Sequence, residues 1–491
     1  MRRVVAVVAV VLLGVLGYLT LDVYDVVPGV LTLANRPDPV PATPTPTSSA
    51  TTTATQPRDA DAGMPLAASG QQQPVPTSSG LLAATAAALA DPSLAGNLGL
   101  TVRDAATGTH LLDVRSNDPL LPASSLKLLS AAAVDATFPV GATLTTKVVQ
   151  GSAPDRVVLV AGGDTLLNPG GSDLKAVAGR AGLGELVSGT ANALRSKGIR
   201  AATVSLDLSY APGPLLAPTW STGFRASGIT GAVATIGLSS QRAVPGKPGP
   251  VDPTASVGAA FVAGLKSAGV AATLAEPGQA PEAAATLASV TSAPVVDQLA
   301  VALDESDNAL TESLTRQAAY LKGMPPGFDQ AAAFARNTVS ALGVDLTGVT
   351  TVDASGLSRE NRLPVRVLGD VMALGTSAKL AGMADTLRDL PIAGLTGTLA
   401  GRFDAGDTRT AAGVAKAKTG TLTGVNALAG TVVTADGRLL TFAAIANGTG
   451  PPQAGGAPTA AVEVPPGTGG TTAARAALDR FVAVLASCGC R

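Results

Sequence analysis

Three short motifs contain the residues best suited to covalent chemistry, and they occur in the order Ser124-x-x-Lys127, Ser306-Asp307-Asn308 and Lys418-Thr419-Gly420. A serine hydroxyl becomes an effective nucleophile only when a neighbouring base takes its proton. Positions i and i+3 of a helix share one face, so Lys127 can lie against the Ser124 hydroxyl. The first motif therefore predicts acyl transfer by a serine that a lysine activates.

The second and third motifs supply the other groups that this reaction needs. Ser306 and Asn308, on a turn between two predicted helices, are suited to relaying a proton and orienting a substrate amide. The segment Lys416–Leu422 alternates like an edge strand, and Gly420 has no side chain to block a substrate backbone. The cation and hydroxyls suited to a substrate carboxylate belong to Lys418, Thr419 and Thr421.

Lys127 can act as a base only if its pKa is lowered, either by burial or by a nearby cation, for which Lys418 is the candidate. The sequence offers little alternative, because His110 is the only histidine. It lies on a predicted strand, where we interpret it as structural. A Ser-Lys pair therefore takes the place of a Ser-His-Asp triad.

A second Ser-x-x-Lys, formed by Ser172 and Lys175, shows that the first motif alone is a weak signal. We interpret this copy as a helix start with a solvated lysine. Ser-Asp-Asn and Lys-Thr-Gly are much rarer by chance, so the three motifs in order form a strong signal.

The composition excludes several other classes of protein. The chain has 491 residues, of which 46% are apolar and 14% charged, with a formal net charge of −1. This length allows two or three domains, and the neutral charge gives no general attraction to nucleic acid. One histidine and two cysteines cannot build a zinc site from several such ligands. We expect no cofactor, no metal and no nucleic-acid partner, and a local disulfide between Cys488 and Cys490.

Strand-like segments at both ends of the body must position these motifs. Two lie near its start and three near its end: Leu98–Arg103, Thr109–Val114, Val414–Leu422, Val425–Thr434 and Leu439–Ala446. They predict one antiparallel sheet, with helices packed on it and Ser124 near the start of a buried helix. The Gly- and Pro-rich stretch between them, residues 151–289, has its own strand candidates and is interpreted as an inserted domain.

The three motifs resemble those of the penicillin-recognising serine enzymes. An insertion between the first and second motifs makes the chain similar to the D-alanyl-D-alanine carboxypeptidase/endopeptidase family, the class C low-molecular-mass penicillin-binding proteins. Further matches lie at Pro122-Ala123-Ser124, Val160–Asp164 and Asp353–Arg359. The resemblance covers about Leu81 to the C-terminus.

This resemblance implies an α+β fold like that of β-lactamases and DD-peptidases. An antiparallel five-stranded sheet would carry helices on both faces and be joined by an inserted, mainly β/α domain. The implied activity is serine-type D-Ala-D-Ala carboxypeptidase, with endopeptidase activity as a further possibility, on peptidoglycan stem peptides. β-Lactams would acylate the same serine and act as inhibitors.

The resemblance also assigns roles to individual residues. Ser124 would be the acylated nucleophile and Lys127 its general base, and Ser306 and Asn308 would complete the proton network. Lys418 would be the fifth catalytic residue.

The same resemblance assigns the substrate-binding groups. Lys418 and Thr419 would bind the terminal carboxylate of the substrate. The backbone N–H groups of Ser124 and Thr421 would form the oxyanion hole, and Gly420 would lie against the substrate.

The N-terminus predicts export. Arg2 and Arg3 precede the apolar run Val4–Leu21, which is close to the roughly 20 residues that cross a bilayer. Residues 1–34 are interpreted as a signal-anchor or a cleaved signal peptide, and residues 35–80 as a Pro/Thr/Ser-rich linker. Residues 81–150 and 290–491 would form the DD-peptidase domain. Either N-terminal alternative places the enzyme outside the cytoplasm, anchored to the membrane or secreted.

Two alternatives remain open, and the oligomeric state is not predicted. A β-lactamase of the same fold would need, in class A, a glutamate four residues before an asparagine, but Arg316 follows Glu312 and Pro364 follows Glu360. A non-catalytic cell-wall scaffold would have no reason to retain all three motifs.

Overall fold

The part of the chain that can be described comprises residues 72–94, 96–449 and 469–491 of a computed structural model. The predicted N-terminal segment 1–34 and most of the predicted linker 35–80 lie outside these residues, so both remain predictions. Within the described ranges, no helix has both the length and the apolar content needed to cross a membrane.

The strands of the described residues form two five-stranded sheets and one short pair. In chain order they are β1 (Asn97–Asp104), β2 (His110–Val114), β3 (Pro119–Leu120), β4 (Thr145–Gln150), β5 (Arg156–Val160), β6 (Ala201–Asp207), β7 (Ala271–Leu274), β8 (Thr286–Thr291), β9 (Leu363–Pro364), β10 (Ala415–Leu422), β11 (Val425–Val433) and β12 (Leu439–Asn447).

Helices connect and cover these sheets. They are α1 (Ser78–Leu89), α2 (Lys127–Asp135), α3 (Leu183–Ser196), α4 (Gly223–Ala226), α5 (Pro253–Ser267), α6 (Val295–Asp304), α7 (Asn308–Leu321), α8 (Phe328–Ala341), α9 (Val365–Thr376), α10 (Ala381–Arg388) and α11 (Gly469–Ser487). Short 3-10 turns include Ala123–Leu126 and Gly397–Leu399.

The first sheet has the strand order β10-β11-β12-β1-β2, and every neighbouring pair is antiparallel. This confirms the prediction of one antiparallel sheet built from both ends of the body. It also confirms β10 as an edge strand. The edge position matters because it leaves one side of the Lys418 motif without a neighbouring strand of this sheet.

Apolar side chains on both faces of β11 and β12 explain why helices cover both faces of this sheet. Leu428 and Phe442 pack with α1 and α11 in one core, whereas Ala427 and Ile445 pack with α2 and α9 in the other. Successive strand residues point to opposite faces, so a strand that is buried on both sides must be mostly apolar along its whole length. Burial along β11 and β12 follows this rule.

The second sheet, in the order β7-β6-β5-β4-β8, belongs largely to the predicted insertion. Strands β5, β6 and β7 are parallel neighbours, and the crossover helices α3 and α5 pack with them in a third core. Its first strand, β4, lies just before residue 151, and β8 extends past residue 289. The exact bounds of the inserted domain, residues 151–289, stay a prediction.

Several smaller predictions can be compared directly with the structure. Ser172 and Lys175 lie in a turn and not at a helix start, although Lys175 is exposed as expected. For Trp220 and Phe224 the sequence favours core or loop packing over a glycan-facing surface, and both are buried core residues. Cys488 and Cys490 form the predicted disulfide.

Candidate active site

Ser124 and Lys127 are brought together by a 3-10 turn and not by a regular helix. The turn spans Ala123–Leu126, and α2 begins at Lys127. In 3-10 geometry the side chains at i and i+3 are eclipsed, which brings them closer than an α-helix does. The Lys127 Nζ lies 2.9 Å from the Ser124 Oγ. The predicted nucleophile and base are therefore in hydrogen-bond contact.

Two further groups bind the Lys127 amine. Its Nζ donates to the Asn308 Oδ1 at 2.5 Å and to the Ser355 carbonyl oxygen at 2.7 Å. The Asn308 amide is oriented by its other end, because its Nδ2 donates to the Ile229 carbonyl at 2.7 Å. The Asn308 oxygen therefore faces the lysine, as an acceptor only.

This arrangement suits a neutral lysine that acts as a base. An uncharged amine has two N–H donors and one lone pair. Asn308 and Ser355 offer only acceptor oxygens to the amine and take up both donors. The remaining position is occupied by the Ser124 hydroxyl, which can donate its proton to the lone pair. The geometry thus favours proton transfer from Ser124 to Lys127.

Burial makes the neutral amine accessible near physiological pH. Lys127 is fully buried, and this lowers its pKa from 10.5 to about 8, although Asp353, Glu312 and Asp307 raise it. The sequence left two causes open, burial or the Lys418 cation, and burial is the main one. Burial and the nearby Lys127 instead hold the pKa of Lys418 well below its usual value.

The rate of acylation should therefore depend on pH through Lys127. Acylation requires the deprotonated amine, so we expect the rate to rise as pH increases and to reach half its limit near the Lys127 pKa of about 8. The measurement is the second-order rate of labelling by a fluorescent penicillin between pH 6 and pH 10. A midpoint near 10.5, the value of an unperturbed lysine, would contradict the buried-base assignment.

A tight turn at Asp353–Ser358 supplies the Ser355 carbonyl. Asp353 accepts hydrogen bonds from the Gly356 and Ser358 N–H groups and from the Trp220 indole at 2.7 Å. Gly356 has φ +86°, and a Cβ there would lie 1.9 Å from the Ala123 carbonyl oxygen, so only glycine fits. The sequence favours structural turn roles over catalytic roles for Asp353 and Ser355, and this geometry agrees with that interpretation.

The third motif lies along the edge strand β10. The Lys418 side chain is fully buried and donates to the Thr419 carbonyl at 3.1 Å. The Thr419 hydroxyl lies 3.0 Å from the hydroxyl of Thr398, which belongs to the 3-10 turn Gly397–Leu399. Thr421 is only partly buried. This side of the site therefore presents hydroxyls over a buried lysine.

Among the predicted site residues, Ser306 has the least direct contact with the others. Its φ is +58°, a left-handed conformation that is unusual for serine and is often kept at functional sites. The hydroxyl is partly exposed and makes no hydrogen bond to any described residue. Its neighbour Asp307 caps α7 by accepting from the Leu310 N–H. The turn therefore leaves the Ser306 hydroxyl available to a ligand.

Gly420 has a structural role that the sequence did not indicate. A Cβ at this position would lie 2.8 Å from the Pro122 carbonyl oxygen and 3.1 Å from the Ser125 nitrogen. The missing side chain therefore lets β10 pack against the turn that carries Ser124. The prediction concerned close approach by a substrate, and the observed close approach is by the protein itself.

Gly420→Ala should consequently displace β10 from the nucleophile. We expect the acylation rate to fall about 10- to 100-fold, because displacements of about 1 Å already have effects of this size. The control is Gly401→Ala, since a Cβ at Gly401 would meet no atom within 4 Å. The measurements are penicillin labelling and thermal unfolding of both variants. Unchanged labelling in Gly420→Ala would refute the packing argument.

The inserted segment contributes contacts that no local motif predicts. Arg242 donates to Asp307 through Nε at 2.9 Å and Nη2 at 2.7 Å, and it also pairs with Glu305. Together with the Ile229 carbonyl and the Trp220 indole, it ties the insertion to the second motif and to the Asp353 turn. A backbone carbonyl leaves no signal in the sequence, and pairing partners 65 residues apart follow no local spacing.

His110 takes no part in the site. It lies on β2, at the sheet edge opposite β10, with its side chain 52% exposed and Nδ1 2.7 Å from Asp113. This agrees with the interpretation that the single histidine is not catalytic.

Comparisons with known sequences identify one family. The profile of the D-Ala-D-Ala carboxypeptidase 3 (S13) family matches residues 81–254 and 251–464. Carboxypeptidase DacB of Mycolicibacterium smegmatis is 37% identical over 429 residues, which is 85% of this chain and 86% of that protein. The D-alanyl-D-alanine carboxypeptidase of Actinomadura sp. (strain R39) is 29% identical over 437 residues, or 74% and 80% of the two chains.

A comparison with solved structures identifies the same fold. Penicillin binding protein 4 (dacB) from Haemophilus influenzae matches with a TM-score of 0.63 and 18% identity, over 81% of this chain and 97% of its own. A second structure of that protein, complexed with a novel β-lactam, matches with a TM-score of 0.55. The predicted penicillin-recognising fold is thereby confirmed.

Proposed function

The chain belongs to the D-Ala-D-Ala carboxypeptidase 3 (S13) family of serine peptidases, and we propose that it cleaves the terminal D-Ala-D-Ala bond of peptidoglycan stem peptides. The Ser124 oxygen attacks the carbonyl of the penultimate D-alanine while its proton passes to Lys127. The terminal D-alanine leaves with that proton on its amine. Water then hydrolyses the ester on Ser124 and restores the hydroxyl.

One observation carries this proposal. The Lys127 amine is fully buried and is held by three oxygens, of which the Ser124 Oγ is the only one with a proton to give. A general base must lie within hydrogen-bond reach of the proton that it removes, and this pair meets that condition without substrate.

The test uses a synthetic pentapeptide that ends in D-Ala-D-Ala. We expect release of free D-alanine, and none from the same peptide ending in D-Ala-L-Ala. A penicillin adduct should be found by mass spectrometry on the proteolytic fragment that contains Ser124. If the folded protein releases no D-alanine and forms no adduct, the proposal is wrong.

β-Lactams should inhibit through the same acylation. The β-lactam complex of the Haemophilus influenzae protein supports this expectation. Glu312 is followed four residues later by Arg316 and not by the asparagine that class A β-lactamases have. Its carboxyl group is buried and bound to backbone N–H groups. We therefore expect slow deacylation. Rapid turnover of a chromogenic cephalosporin would favour the β-lactamase alternative.

The hydroxyls of Thr419 and of the partly exposed Thr421, beside the buried Lys418, support binding of a free terminal carboxylate, and hence carboxypeptidase activity. Endopeptidase activity would use the same acyl-enzyme with a cross-linked peptide as substrate. Incubating the enzyme with purified cross-linked muropeptide dimers would measure it directly, since cleavage of the cross-link yields monomers.

We further propose that the enzyme acts outside the cytoplasm, held to the membrane by residues 1–34. Two arginines before an apolar run support this orientation. Fractionation of the producing cells, together with the mass of the mature protein, tests it. An intact N-terminus in the membrane fraction supports an anchor, a shortened soluble protein supports a cleaved signal, and an intact cytoplasmic protein contradicts export.

A further inference from the structure

A buried carboxyl group lies behind the active site and takes no part in the mechanism above. Glu312 is 1% exposed and lies on α7, four residues after Asn308. Residues at i and i+4 share one face of a helix. Asn308 uses that face to hold the Lys127 amine directly, and Glu312 therefore faces the same region.

Glu312 binds the turn that supplies the other acceptor of that amine. Its Oε1 accepts from the Ala354 N–H at 3.0 Å and from the Ser355 N–H at 2.8 Å. The Ser355 carbonyl, on the same residue, accepts from the Lys127 Nζ at 2.7 Å. The Glu312 carboxyl and the Lys127 amine thus bind one residue from its two ends.

We infer that Glu312 is a positioning residue, whose Oε1 clamps the Ala354–Ser355 backbone and so fixes the Ser355 carbonyl against the Lys127 amine. Both non-serine partners of the amine are then set by one face of α7, Asn308 directly and Ser355 through Glu312. The inference rests on the proposed function, because it assigns a part in activating the same serine.

The protonation state of Glu312 gives this role an observable consequence. Burial, and after it the neighbouring Asp353, raise the pKa of Glu312 to about 8, although the hydrogen bonds from Ser355 and Ala354 lower it. At neutral pH the group is therefore mainly a neutral acid. When it ionises, its charge raises the pKa of Lys127 and favours the unproductive ammonium form.

Other charges act on the same pair and must be kept constant. Asp353 faces both groups from the turn, and Arg316 lies one helical turn after Glu312 on α7. Asp307 acts on Lys127 from the start of α7, and Lys418 lies near Lys127 on β10. The variants below change none of these residues.

Two substitutions separate the positioning role from the charge. Glu312→Gln keeps an acceptor oxygen for both N–H groups but cannot ionise, so acylation should keep its limiting rate within a few-fold. The unproductive state, with a charged lysine and a charged glutamate, is removed. The midpoint of the pH profile should therefore move to lower pH, by up to about one unit. Glu312→Leu removes the acceptor and should lower the limiting rate about 10- to 100-fold.

The experiment measures penicillin labelling of the full chain from pH 6 to pH 10, with thermal unfolding of each variant. Glu282→Gln, at an exposed position, is the matched control and should reproduce the wild-type profile. A purely structural role would lower the rates without moving the midpoint.

Two results would overturn the inference: a Glu312→Gln profile that superimposes on the wild type, or a folded Glu312→Leu that labels at the wild-type rate. If Glu312→Leu does not fold, the Gln profile decides alone. Failure of the wild-type protein itself to be labelled would count against the proposed function instead.

Discussion

Ser124→Ala is expected to abolish covalent labelling by penicillin and to lower D-alanine release by at least about 10⁴-fold, as loss of a nucleophile does. The Lys127 Nζ has three hydrogen-bond partners, and the other two are acceptor oxygens that cannot form an ester. No other described hydroxyl forms a hydrogen bond with this base. The substitution removes one partly exposed oxygen, so the thermal unfolding temperature should change little.

The matched control for this variant is already present in the chain. Ser172→Ala changes the serine of the second Ser-x-x-Lys, where Lys175 is exposed on a turn and not buried against a hydroxyl. It should be labelled at the wild-type rate. Label that persists on Ser124→Ala, measured by gel fluorescence and intact mass, would show that another residue is the nucleophile.

Lys127→Met should have the second largest effect. Methionine has a similar length and fills the buried space, but it cannot accept a proton, so acylation should fall about 10²- to 10⁴-fold. The rise of the rate through pH 8 should also disappear. Because the Asn308 and Ser355 oxygens lose their donor, we expect a stability loss of about 1–3 kcal/mol. Stopped-flow or gel-based labelling and chemical denaturation measure the two effects.

Lys175→Met serves as the comparison for Lys127→Met, since Lys175 is exposed and its amine makes no hydrogen bond to a described residue. Its labelling rate and pH profile should match the wild type. If Lys127→Met keeps the wild-type rate with an intact fold, a different base activates Ser124.

The elements of the main sheet were predictable because their pattern is local. Strands β10 to β12 and the hairpin β1–β2 show apolar runs and turn residues that fix strand direction. The contribution of both ends of the body to one sheet was also predictable. Strands near each end must bury an apolar face, and pairing in one sheet covered by helices allows this. The mixed sheet of the insertion was less predictable, since its parallel pairs depend on crossover helices of weak periodicity.

The candidate site was predictable only where side chains carry the chemistry. Ser124, Lys127 and Asn308 meet as their motifs indicated. The Ser355 and Ile229 carbonyls leave no trace in composition, because every residue has a carbonyl. Glu312 was considered only as a candidate deacylating base, since its spacing says nothing about the turn that it binds. Contacts of this kind can be identified only in the folded structure.

The dependence of the second motif on the inserted segment has an evolutionary consequence. The Arg242 guanidinium, the Ile229 carbonyl and the Trp220 indole bind buried or partly buried polar groups around the Lys127 amine. A lineage that lost the predicted inserted domain would have to replace all three partners at once, since a polar group left unpaired weakens the fold. During evolution such an inserted segment can be enlarged or reshaped, but it is not readily lost.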